Sequence, residues 1–287
     1  MSVWRLRDGL ELSFPPPLAA GVVNVTADSF YSGARSVTPK QAVADGLRLV
    51  EEGFDLLDVG SLAARSGPPV PAEEEAAKLV PAIAGLVAEA GVPVLADTFS
   101  VDVAAAAIDA GAAAINDISG GSDEMFGLVA ESGCGYVLMH IEGPPRVDRT
   151  PRRYDDVVAY QKAWFSERIE AAVEAGVAEE AIVLDPGPDF DKGVDDNVEL
   201  LRRIGELREL GRPVLAAISR KDFLGAILAG SWERRAEADE RGAATAAAAT
   251  LATMQGAEIL RLHDSEALDA MRVAAAITTP STPNVPE

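Results

Sequence analysis

Eight short apolar runs, each followed by an alanine- and glutamate-rich stretch, recur along this chain almost without interruption. The runs are residues 18–25, 54–60, 93–97, 113–118, 136–140, 181–185, 213–219 and 258–263, rich in Val, Ile and Leu. Between them apolar residues fall at i, i+3 and i+4, as in 38–52, 72–90 and 154–175, the period of an amphipathic helix. Continuous apolar strands alternating with helices predict a parallel sheet covered on both faces. Eight such units over about 260 residues fit a closed (β/α)8 TIM barrel better than an open doubly wound sheet. The opening "VWRLRDGLELSF", residues 3–14, is expected to form a short β-hairpin over the barrel bottom. No internal stretch is rich enough in Gly, Pro or Ser to divide the chain, so 1–277 reads as one domain. The polar, proline-rich 278–287 reads as an unstructured tail.

Charge and composition narrow the function. A formal net charge of −21 argues against nucleic acid or an anionic membrane surface as the main partner. An anionic ligand would therefore need a local cationic pocket. Cys134 is the single cysteine, which rules out an internal disulfide framework or a cysteine-rich metal site, and it reads as a core thiol. The first residues lack the apolar stretch of a signal peptide, and no segment approaches the ~18 apolar residues of a membrane span. A cytoplasmic protein is expected. GxGxxG after the first strand, GxxxxGK[ST] and GxSxG are all absent, and two histidines are too few for a typical zinc site.

In a TIM barrel the site forms at the C-terminal ends of the strands. Those ends carry Asn24, Asp58, Asp97, Asn116, His140, Asp185, Ser219 to Lys221, and His263 with Asp264. Eight polar ends converging on one mouth each need a partner or a ligand. Asp97 and Asp185 accept, Asn116 does both and Lys221 donates, a set suited to a planar heterocycle with adjacent N–H and NH2 donors. Arg65, Arg220, Lys221, Arg261 and His263, with the "SGG" turn at 119–121, could hold phosphate oxygens. Arg220 reads equally as a structural ion pair.

The motifs "GVVNVTADSF" (21–30), "DVG" (58–60), "DT" (97–98), "INDISGG" (115–121), "VLMH" (137–140), "DPG" with "DFDK" (185–192), "SRK" (219–221) and "RLHD" (261–264) follow in this order. The series resembles the dihydropteroate synthase family of pterin-binding TIM barrels, from about residue 5 to 277. The resemblance implies a transferase of folate biosynthesis. In that reaction 4-aminobenzoate displaces pyrophosphate from (7,8-dihydropterin-6-yl)methyl diphosphate. It further implies that Asp97, Asn116, Met139, Asp185 and Lys221 hold the pterin. Asn24, Arg65, Arg261 and His263 would hold the diphosphate, and Asn24 a Mg2+ cofactor. Phe190, Lys221 and Asp222 would meet the amine, with Asp97, Lys221 and Arg65 nearest the chemistry. The family also implies a homodimer.

The likeness is incomplete on the amine side. The second loop, "GSLAARSGPP" at 60–69, keeps Arg65 but has Ala64 and Ser66 where the family has threonine and proline. Ala27 replaces a proline, and Asp189 and Asp191 replace two glycines of the usual turn before Lys192. Asp222 stands where a family serine meets the aminobenzoate carboxylate. A carboxylate there would repel the substrate by about 4 kcal/mol at ~4 Å and an effective dielectric near 20, unless it turns away or caps its helix. Two other readings stay open at this point. One is a diverged pterin-binding relative that uses another amine or lacks synthase activity. The other is a methyltransferase acting on methyltetrahydrofolate.

Overall fold

The computed structural model describes residues 2–26, 36, 38–63, 67–147 and 151–278. Two antiparallel strands, β1 (Ser2–Arg5) and β2 (Glu11–Phe14), open the chain as the expected hairpin. Eight parallel strands follow: β3 (Leu18–Asn24), β4 (Leu56–Gly60), β5 (Val94–Asp97), β6 (Ala114–Asp117), β7 (Gly135–Met139), β8 (Ile182–Asp185), β9 (Leu215–Ala216) and β10 (Ile259–Leu262). They neighbour one another in the order β8, β7, β6, β5, β4, β3, β10, β9, and a parallel bridge from Leu184 to Val214 closes the ring. This is the TIM barrel that the alternation predicts.

The helices α1 (Pro39–Glu52), α2 (Ala72–Glu89), α3 (Val101–Asp109), α4 (Asp123–Ser132), α5 (Val157–Glu174) and α6 (Val194–Arg203) fill successive crossovers. The crossover from β9 to β10 carries two, α7 (Asp222–Ala229) and α8 (Gly242–Met254), and α9 (Ser265–Thr278) ends the described chain. The simple one-helix repeat therefore breaks once, at Gly230, whose φ of 62° ends α7 in the left-handed region. Helix starts follow local chemistry: Thr38 accepts from Gln41 N at 3.2 Å ahead of Pro39, and Asp156 accepts from Val158 N and Ala159 N.

The barrel interior is layered by the two-residue period of a strand. Ala20, Leu56, Leu95, Ala114, Val137, Val183, Leu215 and Ile259 form an apolar layer with Trp4, Leu6 and Phe14 of the hairpin beneath it. Trp4 Nε1 donates to Ala181 O at 2.8 Å, so the hairpin plugs the bottom. Two residues further along each strand stand Val22, Asp58, Asp97, Asn116, Met139, Asp185, Ala217 and Arg261. At five of these eight positions the inward face changes from apolar to polar within one pleat, and the site begins at that change.

Candidate active site

The pocket above the apolar layer is lined by Asp97, Asn116, Ile118, Met139, Asp185, Phe190, Ala217, Ser219, Lys221, Arg261 and His263. Eight of the residues assigned from the sequence meet there, on β5 to β8, on β10 and on the turns that follow β8, β9 and β10. Gly60 permits part of this closeness. It pairs with Asp97, and a Cβ added to it would lie 3.2 Å from the Asp97 carboxylate oxygen.

Arg261 and Asp58 organise the floor. The guanidinium donates from Nε to Asp58 and from Nη2 to Asp97 Oδ2 at 2.6 Å. Asn116 Nδ2 donates to Asp58 Oδ2 at 2.9 Å, which turns the carboxamide so that Oδ1 points elsewhere. That Oδ1 is buried and has no hydrogen-bond partner among the described residues. A buried acceptor of this kind can take a hydrogen bond from a ligand donor. Asp58 is the member of this network for which sequence reasoning found no role beyond its place at a strand end.

Burial pushes the Asp97 carboxyl up to about 7; Arg261 pulls it down, and Asp58, Glu75 and Asp185 add to the rise. Burial likewise raises Asp185, although Gly187 N donates to its Oδ1 at 2.8 Å and Lys221 and Arg261 favour its charge. Burial and the surrounding cations hold His263 well below the usual histidine range, so its ring is neutral. Its Nδ1 lies 2.8 Å from Ser219 Oγ. If the hydroxyl is the donor, Nε2 carries the ring proton. Lys221 Nζ lies 4.9 Å from the centre of the Phe190 ring, within cation–π range.

The loop after β8 is pinned from below. Lys192 is buried and donates to Gly187 O at 3.0 Å and Phe190 O at 2.7 Å, with His140 Nδ1 also 3.0 Å away. Gly187, at φ 61°, has no room for a side chain, because a Cβ would come within 2.3 Å of His140 O. Asp189 and Asp191 adopt positive φ, 69° and 60°, the left-handed region that glycine enters most readily.

Other expectations resolve differently. Arg220 is structural: at φ 55° it donates to Asp264 Oδ2 at 2.7 Å and to Ala238 O at 2.9 Å. His140 packs against Trp164 and Phe165 beside Lys192 and is not among the lining residues. The 119–121 turn does not form a phosphate cradle. Ser119 bonds Asp117, and Arg168 takes the carbonyls of Gly120 and Gly121. Asp222 neither caps α7 nor lines the pocket; its Oδ1 accepts from Arg241 Nη1 at 2.7 Å and forms an ion pair with Arg235, Nε lying 3.0 Å away. Asn24 ends β3 at the same mouth, two residues beyond Val22. Arg65, Ala64, Ser66 and Ala27 lie outside the described residues.

Comparison with known proteins agrees with this geometry. Residues 20–263 match the family model described as "Pterin binding enzyme". Dihydropteroate synthase of Mycobacterium leprae is 40% identical over 271 residues, covering 92% of this chain and 95% of the relative. That of Escherichia coli K12 is 34% identical, covering 93% and 94%. The structure of the Xanthomonas albilineans synthase with 4-aminobenzoic acid superposes with a TM-score of 0.85 at 40% identity, covering 97% of this chain and all of the other. The same enzyme with 7,8-dihydropteroate gives 0.80 at 38%, covering 96% and 99%.

Proposed function

Because the chain belongs to the dihydropteroate synthases, a family of pterin-binding enzymes, we propose that it joins (7,8-dihydropterin-6-yl)methyl diphosphate to 4-aminobenzoate. The observation that carries the reading is the set of acceptors on the polar layer. Asp97, Asp185 and the unpartnered Asn116 Oδ1 converge beside Lys221, over the apolar side chains of Ile118 and Met139. Two carboxylates and an amide oxygen accept from the N–H and NH2 edge of a pterin, Lys221 donates to its ring acceptors, and Met139 packs on its face.

The amine nitrogen of 4-aminobenzoate attacks the pterin methylene. The new C–N bond forms as the C–O bond to diphosphate breaks, and the amine gives up a proton. No covalent enzyme intermediate is needed, since holding both reactants in line supplies much of the acceleration. The aspartates favour positive charge developing on the pterin methylene, while Arg261, neutral His263 as an N–H donor, and Arg65 receive the departing diphosphate. Phe190 and Lys221 flank the aromatic amine.

Mg2+ fits this mouth as a diphosphate-bound ion. Among the described residues no three His, Cys, Asp or Glu side chains could enclose a cation. Asn24 would give one hard oxygen, with diphosphate oxygens and water completing the shell, as is usual for this ion. When bound, it neutralises charge on the leaving group. A homodimer accords with the exposed Ile227, Leu228, Met254, Val273 and Ile277 on α7, α8 and α9, which a second copy would cover. A cytoplasmic setting accords with the absence, among the described residues, of any helix able to cross a membrane.

The test is pyrophosphate release from the pterin diphosphate with Mg2+ and 4-aminobenzoate. Release that saturates with both substrates is expected. No release above background at millimolar amine would overturn the reading.

A further inference from the structure

Asp222, the residue that departs most visibly from the family pattern, faces Arg241 and Arg235. The carboxylate at the amino end of α7 belongs to Asp189 instead. Its Oδ2 accepts from Asp222 N at 2.5 Å and its Oδ1 from Phe223 N at 3.1 Å. These are the first two amides of α7, which have no partner inside the helix and sit at the positive end of its dipole.

The neighbourhood ties this contact to the pocket. Lys221, which lines the pocket, immediately precedes α7. Phe190, the residue after Asp189, lines the same pocket and lies under the Lys221 ammonium. An aromatic amine stacked on Phe190 with its nitrogen toward the pterin carries its far substituent to the side of Lys221 and α7. For 4-aminobenzoate that substituent is an anion, and helix amides next to a lysine are where an anion is best received. Asp189 already bonds those amides. The loop holds it there, because Asp189 N donates to Asn197 Oδ1 at 2.9 Å and Lys192 anchors the carbonyls on either side.

Resting on the synthase reading, we infer that Asp189 is a specificity-determining residue of the amine subsite. It is an internal carboxylate that competes with the carboxylate of the arylamine for the first two N–H groups of α7. The enzyme therefore discriminates weakly between a para-carboxylate and a neutral para-carboxamide, because the charged group gains those amides only by displacing Asp189.

The test compares full-length protein with Asp189→Gly and Asp189→Asn, using 4-aminobenzoate and 4-aminobenzamide as amines. Glycine adopts φ 69° without strain and vacates the amides; asparagine tolerates the same backbone and keeps a capping oxygen but drops the charge. In Asp189→Gly the KM for 4-aminobenzoate should fall about tenfold with kcat within about twofold, the scale of losing one capping competitor. Asp189→Asn should show a smaller fall, and KM for the carboxamide should stay unchanged in both. Affinity for pteroate, which carries the same carboxylate and needs no turnover, should rise in parallel. An unchanged or raised KM with unchanged pteroate affinity in both variants overturns the inference, as does an equal gain for the carboxamide. A wild-type protein that neither binds 6-hydroxymethyl-7,8-dihydropterin nor releases pyrophosphate with either amine overturns the synthase reading instead.

Discussion

Arg261 donates to Asp97 at 2.6 Å while its Nε meets Asp58, so one guanidinium joins strands β5, β4 and β10 across the barrel mouth. Three inward carboxylates, Asp58, Asp97 and Asp185, share this cation, and Lys221 adds its charge beside Asp185. A diphosphate arriving at the same mouth would draw Arg261 away from Asp97 and leave that carboxylate to the pterin. In the proposed reading this pairing would hold the acceptors in place until donors of the ligand replace it.

Replacing Arg261 by glutamine should destabilise the protein by about 3 kcal/mol, the low end for breaking a buried pair, because the mouth is partly open. The sign of the pH effect follows from Asp97, already held near 7 and pushed higher without the guanidinium. A carboxyl held above its unfolded value contributes stability in acid, and that contribution is lost as pH rises toward the folded value. The deficit should therefore be larger at pH 8 than at pH 5 in urea unfolding. Equal deficits would mean that packing, not charge, accounts for the loss.

Pterin binding should itself depend on pH. An N–H donor on the ligand needs an ionised acceptor, and Asp97 ionises only near 7 in the free protein. Affinity for 6-hydroxymethylpterin should rise with pH, by up to about tenfold per unit below 7, and level off above it. Calorimetry from pH 5.5 to 8.5 checks this, and a flat profile would place Asp97 in its ionised form throughout.

In the proposed reading, Asp185→Asn keeps the shape and removes a charge that would meet the pterin edge. With charge-assisted hydrogen bonds worth about 1.5–3 kcal/mol, pterin affinity should fall roughly ten- to a hundredfold. The loss should exceed that of any single substitution within residues 60–69. Calorimetry that finds no loss would remove Asp185 from the pterin subsite.

The polar layer was readable in the sequence because it obeys the strand period: Leu56 and Asp58, Leu95 and Asp97, Val183 and Asp185 are successive inward residues. What a strand-end residue touches was less readable. Asp58 and Arg261 are 203 positions apart, and only barrel closure makes them partners. Arg220 and Lys221 are adjacent and look alike in a string of letters, yet the left-handed turn at Arg220 sends it to Asp264 and leaves Lys221 at the pocket. Asp189 stood out as a replaced glycine, but its reach to α7, 33 residues away, depends on how two crossovers pack.

Asp222→Ser restores the residue of the family pattern and tests where amine specificity resides. From sequence alone it should improve the use of 4-aminobenzoate by removing a repelling charge. In the structure that charge is neutralised by Arg235 and by Arg241, whose side chain is only 5% exposed. Serine would leave Arg241 with carbonyl partners, Ala236 O at 2.7 Å and Arg220 O at 2.8 Å, but without its carboxylate. The expected outcome is a loss of about 2 kcal/mol in stability, the scale of a hydrogen bond between charged groups. KM for 4-aminobenzoate should change by less than about twofold, because the α7 amides still carry Asp189. Thermal melting and steady-state kinetics on the same preparation check both parts. A large fall in KM without loss of stability would return the specificity role to Asp222.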